Sequence, residues 1–182
     1  MGANKVLVIG TDTLSRITDW SDRNTAVLFA DGSGAVVLEA VDGPGQMLAW
    51  DIDADGSAED ALYADLGGFI KMEGKEVFRR AVRIMVDSAQ KSLSAAGLTS
   101  EDIDVVIPHQ ANIRIIQAAC DRLEIPIEKA ATVLHYTGNT SSASVPLALD
   151  HAVRSGRVER GQLLLLEAFG GGFTWGSALL RY

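Results

Sequence analysis

Ile103-Asp-Val-Val-Ile-Pro-His-Gln-Ala-Asn112 decides how the rest of the chain is read. Its apolar, β-branched start is the pattern of a strand buried on both faces. Pro108 has no N–H to give to a ladder, so the strand must end near it. His109 then emerges at a strand's C-terminal edge, where open α/β sheets place their ligand sites. A lone histidine at such a point also serves as a turn or capping residue. The residues further along decide between the two.

Downstream, the spacing predicts a helix over about Asn112 to Leu123, with Ile113, Ile116, Cys120 and Leu123 on the inner face. A thiol on that face is a small hydrophobe, since a nucleophile needs an exposed, electropositive setting. Ala131 to Leu134 reads as a short strand leading to the loop His135-Tyr-Thr-Gly-Asn139-Thr-Ser-Ser-Ala-Ser144. That loop opens a helix from about Ala143 to Arg154, with Pro146 in its first turn. Asn139 alone is a candidate cap or turn residue. Gln162 to Ala168 is the most apolar strand, and Phe169-Gly-Gly-Gly-Phe173 turns it back into an antiparallel strand from Thr174 to Tyr182. Three consecutive glycines let backbone N–H groups come close to a bound group.

Upstream, apolar residues from Val77 to Leu93 recur at three and four, giving a long helix from about Glu73 to Ala96 that Gly97 closes. Its outer side is expected to carry Lys75, Arg79, Arg80 and Arg83, and Thr99 to Asp102 forms a capping turn after it. Nearer the N-terminus, Lys5 to Gly10 reads as a short buried strand, followed by a polar loop. Thr25 to Ala30 and Ala35 to Val41 read as strands joined by a tight Asp31-Gly-Ser-Gly34 turn. After a turn at Asp42-Gly-Pro-Gly45 comes a strand from Gln46 to Asp53, then an irregular region over 57–72. Asp51, Asp53 and Asp55 imitate a calcium loop, but its twelfth position is Leu62, where a bidentate glutamate is needed.

The bulk composition fits one α/β domain: 182 residues, 47% hydrophobic and 22% charged. The formal net charge of −8 opposes non-specific nucleic-acid binding, which requires a basic field. No apolar run reaches the roughly 20 residues that span a bilayer, and the start lacks the pattern of a secretion signal. A soluble, cytoplasmic protein is expected. Cys120 is the single cysteine, so no intramolecular disulfide forms.

Three motifs in this order are specific. Ile107-Pro-His-Gln-Ala-Asn112, Gly138-Asn-Thr-Ser-Ser-Ala-Ser-Val-Pro146 and Leu166-Glu-Ala-Phe-Gly-Gly-Gly-Phe-Thr-Trp-Gly176 resemble the C-terminal part of the 3-oxoacyl-[acyl-carrier-protein] synthase III family of thiolase-like condensing enzymes. Asp22-Arg-Asn-Thr25, Phe29 to Gly34 and Met72-Glu-Gly-Lys-Glu-Val-Phe78 extend the likeness over nearly the whole chain.

The resemblance implies a thiolase-like α/β fold: residues 1–40 as the tail of an N-terminal half and 41–182 as a C-terminal half with a mixed sheet flanked by helices. It implies a transferase joining acyl-CoA to malonyl-acyl-carrier-protein by decarboxylative Claisen condensation, which initiates fatty-acid synthesis, with no cofactor beyond the substrates. The family's catalytic histidine and asparagine fall on His109 and Asn139; Phe169 falls beside the malonyl carboxylate and Gly171 in the hole for the tetrahedral intermediate. Arg16, Met72, Gly74, Phe78, Ala81, Ala111 and Asn112 fall along the channel for CoA or phosphopantetheine, and Arg79 and Arg114 at the carrier-protein contact. A homodimer is implied for the full-length enzyme.

The family's nucleophilic cysteine lies in an N-terminal half outside this sequence, and Cys120 sits in the wrong element to replace it. The chain by itself is therefore expected to be inactive and to expose apolar surface. A non-catalytic module that binds carrier protein or CoA, or part of a polyketide-type synthase, is the alternative.

Overall fold

The alternating leucines of Leu163 to Leu166 set the layers of the molecule. In the computed structural model, which describes residues 2–43 and 45–182, Leu163 and Leu165 point into one apolar cluster, and Leu164 and Leu166 into another on the opposite side. A strand sends successive side chains to opposite faces, so this run must lie between two layers. Each fully buried leucine contributes about 1.5–3 kcal/mol.

The strand is β7 of twelve named elements: β1 (Lys5–Asp12), β2 (Gly32–Glu39), β3 (Met47–Ala54), β4 (Leu62–Ala64), β5 (Ile70–Met72), α1 (Gly74–Ala96), β6 (Val105–Pro108), α2 (Ile113–Arg122), α3 (Leu134–Thr137), α4 (Ser144–Arg154), β7 (Leu163–Gly170) and β8 (Thr174–Arg181). The main sheet runs β3-β8-β7-β6, with β6 parallel to β7 and the other pairs antiparallel. Helices α1 and α2 cover one face and α4 the other. This is the mixed, helix-flanked sheet that the resemblance implies.

Helix α1 ends as expected. Gly97 adopts φ 67°, and the N–H groups of Gly97 and Leu98 return to the carbonyls of Ser94 and Leu93. Thr99 and Asp102 then form a reciprocal capping box. Helix α2 buries Ile115, Ile116, Ala119 and Cys120, but Ile113 in its first turn is exposed, because Ile115 takes the inward position expected for it. Arg80 is not on the solvent side of α1: it is half-buried, held by Glu76 and Asp55. Of the expected turn at 42–45, Pro44 lies outside the described residues.

The N-terminal region departs most from expectation. No strand forms over Thr25 to Ala30, because Asp22 captures the segment: its side chain accepts from Asn24 N–H and Thr25 Oγ1, and its carbonyl from Thr25 and Ala26 N–H. Gly32 and Gly34 make no tight turn either; they sit inside β2, which pairs with β1. A Cβ on Gly34 would lie 2.9 Å from Pro146 Cγ, and one on Gly10 only 2.3 Å from Ser142 O. These glycines serve the close approach of the β1–β2 hairpin to the start of α4. The hairpin is not buried as expected: Leu7 and Ile9 are more than half exposed. Residues 57–72 are less irregular than expected, containing a short helical turn and the β4–β5 hairpin. Ala131 to Leu134 forms no strand beyond an isolated bridge at Ala130, for a reason that lies beside His109.

Candidate active site

Strands β6 and β7 run parallel, so both deliver their C-terminal ends to one edge of the sheet. His109 follows β6 directly, its N–H donating to Glu167 O at 2.7 Å, and Phe169 lies near the end of β7. Their rings meet edge to face at 5.4 Å between centroids. The turn after β7 brings Gly171 alongside; a Cβ there would lie 2.6 Å from Leu62 O, so only glycine fits without displacing β4.

Asn139 reaches the same place from the other side. Its backbone N–H donates to Leu28 O and its carbonyl accepts from Ala30 N–H, which fixes the residue between the N-terminal loop and α4. Its Oδ1 accepts the N–H of Ser141 at 3.0 Å. The oxygen end is thereby used, and the amide N–H₂ is the free end. His109, Asn139, Phe169 and Gly171 line one cleft of about 1850 Å³.

Burial sets the state of the histidine. His109 is 8% exposed, and loss of solvent pushes its pKa down to about 4, so it is neutral at physiological pH. Its Nδ1 lies 2.6 Å from Ser144 Oγ, and that hydroxyl also accepts the N–H of Gln110 at 3.3 Å. With Gln110 donating to it, the Ser144 hydroxyl has its own proton to offer Nδ1. When Ser144 donates to Nδ1, the ring proton sits on Nε2, which is then the donor of the ring.

A second buried titratable group lies on β7. Glu167 is 3% exposed, its Oε1 has no protein partner, and burial raises its pKa to about 8. Cys120 is buried too, and desolvation, with the negative charges of Glu167 and Asp121, pushes its thiol up to about 12. A thiol in that state is no nucleophile at neutral pH.

The other sequence-predicted positions divide. Met72, Gly74, Phe78, Ala111, Asn112 and Arg114 line the same cleft as His109. Asn112 also caps α2, accepting the Arg114 N–H, and the Arg114 guanidinium lies over the Phe78 ring at 5.8 Å. Ala81 does not line the cleft; it is fully buried in the core under α1, because it takes an inward position of that helix. Arg16 lines a separate depression with Phe69 and the glycines of the β4–β5 turn. Arg79 is exposed and ion-paired to Glu76. Sequence reasoning missed the parts of Gln110 and Ser144. Both lie inside the motifs, but only the fold shows which atoms they reach.

No group of three or more His, Cys, Asp or Glu side chains is placed to hold a metal among the described residues, so the Asp51–Asp55 segment forms no such cluster. Asp55 instead caps a short helical turn.

Residues 1–56 match the family model described as 3-oxoacyl-[acyl-carrier-protein] synthase III, and residues 93–182 match that of its C-terminal domain. The chain belongs to the 3-oxoacyl-[acyl-carrier-protein] synthase III family. The likeness therefore extends beyond a C-terminal portion. A beta-ketoacyl-[acyl-carrier-protein] synthase III of Xanthomonas campestris pv. campestris is 54% identical over 99% of the chain and 59% of its own length.

Among solved structures, the synthase III of Aquifex aeolicus VF5 superposes with a TM-score of 0.96 at 49% identity, over 98% of this chain and 58% of that one. The priming beta-ketosynthase of the R1128 polyketide pathway gives 0.92 at 38%, over 99% and 57%. The fold is thus thiolase-like, and this chain spans somewhat under two thirds of the length of the relatives it matches.

Proposed function

We propose that this chain is the part of a 3-oxoacyl-[acyl-carrier-protein] synthase III that carries out the decarboxylation step of condensation. Loss of carbon dioxide from a malonyl thioester places negative charge on the thioester oxygen of the nascent enolate. Neutral donors aimed at that oxygen stabilise the charge without competing as bases. The observation that carries the reading is the pairing of two oriented neutral donors on one cleft. His109 is uncharged with Nδ1 tied to Ser144, and Asn139 has Oδ1 tied to Ser141, leaving N–H groups free on each. Phe169, against the His109 ring, excludes water from the malonyl carboxylate, and the Gly171 N–H serves the tetrahedral intermediate of the acyl-transfer step.

In this reading Met72, Gly74, Phe78, Ala111 and Asn112 guide the phosphopantetheine arm or CoA. Arg16 meets the CoA end from its own depression, and Arg79 and Arg114 meet the acidic carrier protein. The acyl nucleophile comes from a segment of the relatives' length that this chain does not cover. Residues 1–40 belong to that half and 41–182 to the other. The exposed apolar side chains of β1 and β3, such as Leu7, Ile9, Trp50 and Ile52, are the surface that the uncovered remainder of that half would cover. The chain alone is then inactive; the assembled enzyme is a cytoplasmic homodimer that starts fatty-acid chains. The likeness to the R1128 priming ketosynthase favours, as a second reading, a starter role in polyketide synthesis.

The test mixes this chain with the segment of the Xanthomonas campestris relative that it does not cover. Carboxyl-labelled malonyl-acyl-carrier-protein should release labelled carbon dioxide. A well-folded mixture that releases none contradicts the reading, and carrier-protein binding by the chain without any turnover would favour a binding module.

A further inference from the structure

Gln110 stands beside His109 in the most buried part of the site and has no role in the chemistry described so far. It has no exposed surface, and its amide uses all four of its hydrogen-bonding positions. Nε2 donates to Pro108 O at 2.7 Å and Ala131 O at 3.2 Å; Oε1 accepts from Val133 N–H at 2.9 Å and Leu134 N–H at 3.2 Å. The first partner is the carbonyl immediately before His109. The other three belong to the segment that enters α3, which ends at Thr137 with Gly138 as its C-cap, directly before Asn139. The first N–H groups of a helix have no partner within it, and here a side chain from another part of the chain supplies one. This is also why Ala131 to Leu134 forms no strand: its polar groups are taken by a side chain. The Gln110 N–H completes the link by donating to Ser144 Oγ, the partner of His109 Nδ1.

We infer that Gln110 is a positioning residue that holds the His109 loop and the segment leading to Asn139 in one fixed relation, so that both donors reach the same oxygen. The inference rests on the function proposed above. A buried glutamine that only satisfied stray backbone groups would support the whole fold equally. One that sets the relation between two donors affects the step that uses both. Acyl transfer to the nucleophile uses the Gly171 N–H and a group from outside this chain, so it is the internal control.

The informative substitution is Gln110→Glu, which keeps the shape and the acceptor for Val133 and Leu134. When ionised it loses both donors to Pro108 O and Ala131 O; when protonated it regains one. In the mixture with the Xanthomonas campestris segment, carbon dioxide release at pH 8 should fall about 10- to 100-fold, the scale of an ångström-sized misplacement. Acyl transfer should stay within about twofold, since it does not draw on the displaced pair. Release should recover towards wild type as the pH falls and the introduced carboxyl is protonated. Equal loss of both steps, or no loss of either, overturns the inference.

A second measurement needs no activity and separates failure of this inference from failure of the functional reading. In ¹⁵N spectra of this chain alone, Gln110→Glu should shift both the His109 ring nitrogens and the Asn139 side-chain amide. Gln110→Met, with circular dichroism confirming the fold, should do the same. Unchanged resonances at Asn139 in both variants overturn the coupling even if the wild-type mixture never releases carbon dioxide.

Discussion

Replacing Glu167 with glutamine should make this protein more stable at neutral and alkaline pH. The carboxyl is buried, one oxygen has no partner, and burial raises its pKa to about 8 from an ordinary value of 4.5. An acid with a raised folded-state pKa contributes its stability below the unfolded value. That contribution is lost as pH rises from about 4.5 through 8, because unfolding then releases a proton. At about 1.4 kcal/mol for each pH unit, the cost at pH 7 is on the order of 3 kcal/mol, and above pH 8 on the order of 5 kcal/mol. For a chain of this length, 3 kcal/mol corresponds to roughly 6–12 °C in melting temperature.

His109 works in the opposite sense. Its pKa is depressed to about 4 by burial, so its contribution is complete above the unfolded value of 6.5 and is lost as pH falls through 4. The two slopes oppose each other between about 4.5 and 6.5, which leaves the window from 6.5 to 8 to Glu167 alone. Urea unfolding at half-unit steps of pH should therefore show wild-type stability declining from pH 6.5 to 8, and Glu167→Gln should remove the decline. A wild-type profile flat across that window, or a variant with the same slope, refutes the assignment.

Ser144→Ala leaves the buried Gln110 N–H without its partner and frees His109 Nδ1, so it should destabilise the fold by about 1–3 kcal/mol. Its ¹⁵N spectrum should show a changed ring-nitrogen pattern at His109. Gly10→Ala places a methyl against Ser142 O, at 2.3 Å before relaxation; it should loosen the β1–β2 hairpin from α4 and raise amide exchange across β1 without melting the main sheet. Cys120, with its thiol pushed up to about 12, should resist iodoacetamide in the native chain at pH 8 and react on unfolding.

What the sequence made legible followed from one-dimensional patterns. The leucine run of β7, the three-and-four spacing of α1 with Gly97 behind it, and Pro108 at the end of β6 each speak through local chemistry. They placed the strands and helices that bring His109 and Phe169 to one edge. The unread parts depend on partners far along the chain. Gly32 and Gly34 look like turn residues until Thr140 and Pro146 are seen packed against them. Residues 25–30 have strand-like composition, but Asp22 takes the N–H groups of Thr25 and Ala26 at their start. Ala81 is different: its place in the three-and-four spacing of α1 marks it as inward, and only the family likeness assigned it to the channel. The orientation of the two donors was hidden for the same reason, since Ser144 lies 35 residues from His109.

The most direct measurement of the central claim is labelled carbon dioxide release in the assembled mixture with His109→Ala and Asn139→Ala, singly and together. Removing one donor of this kind costs about 10²–10³ in rate. Each single variant should fall by that much, while acyl transfer persists and the pair together loses the step. Undiminished release with both side chains removed would contradict the claim that these two donors stabilise the enolate.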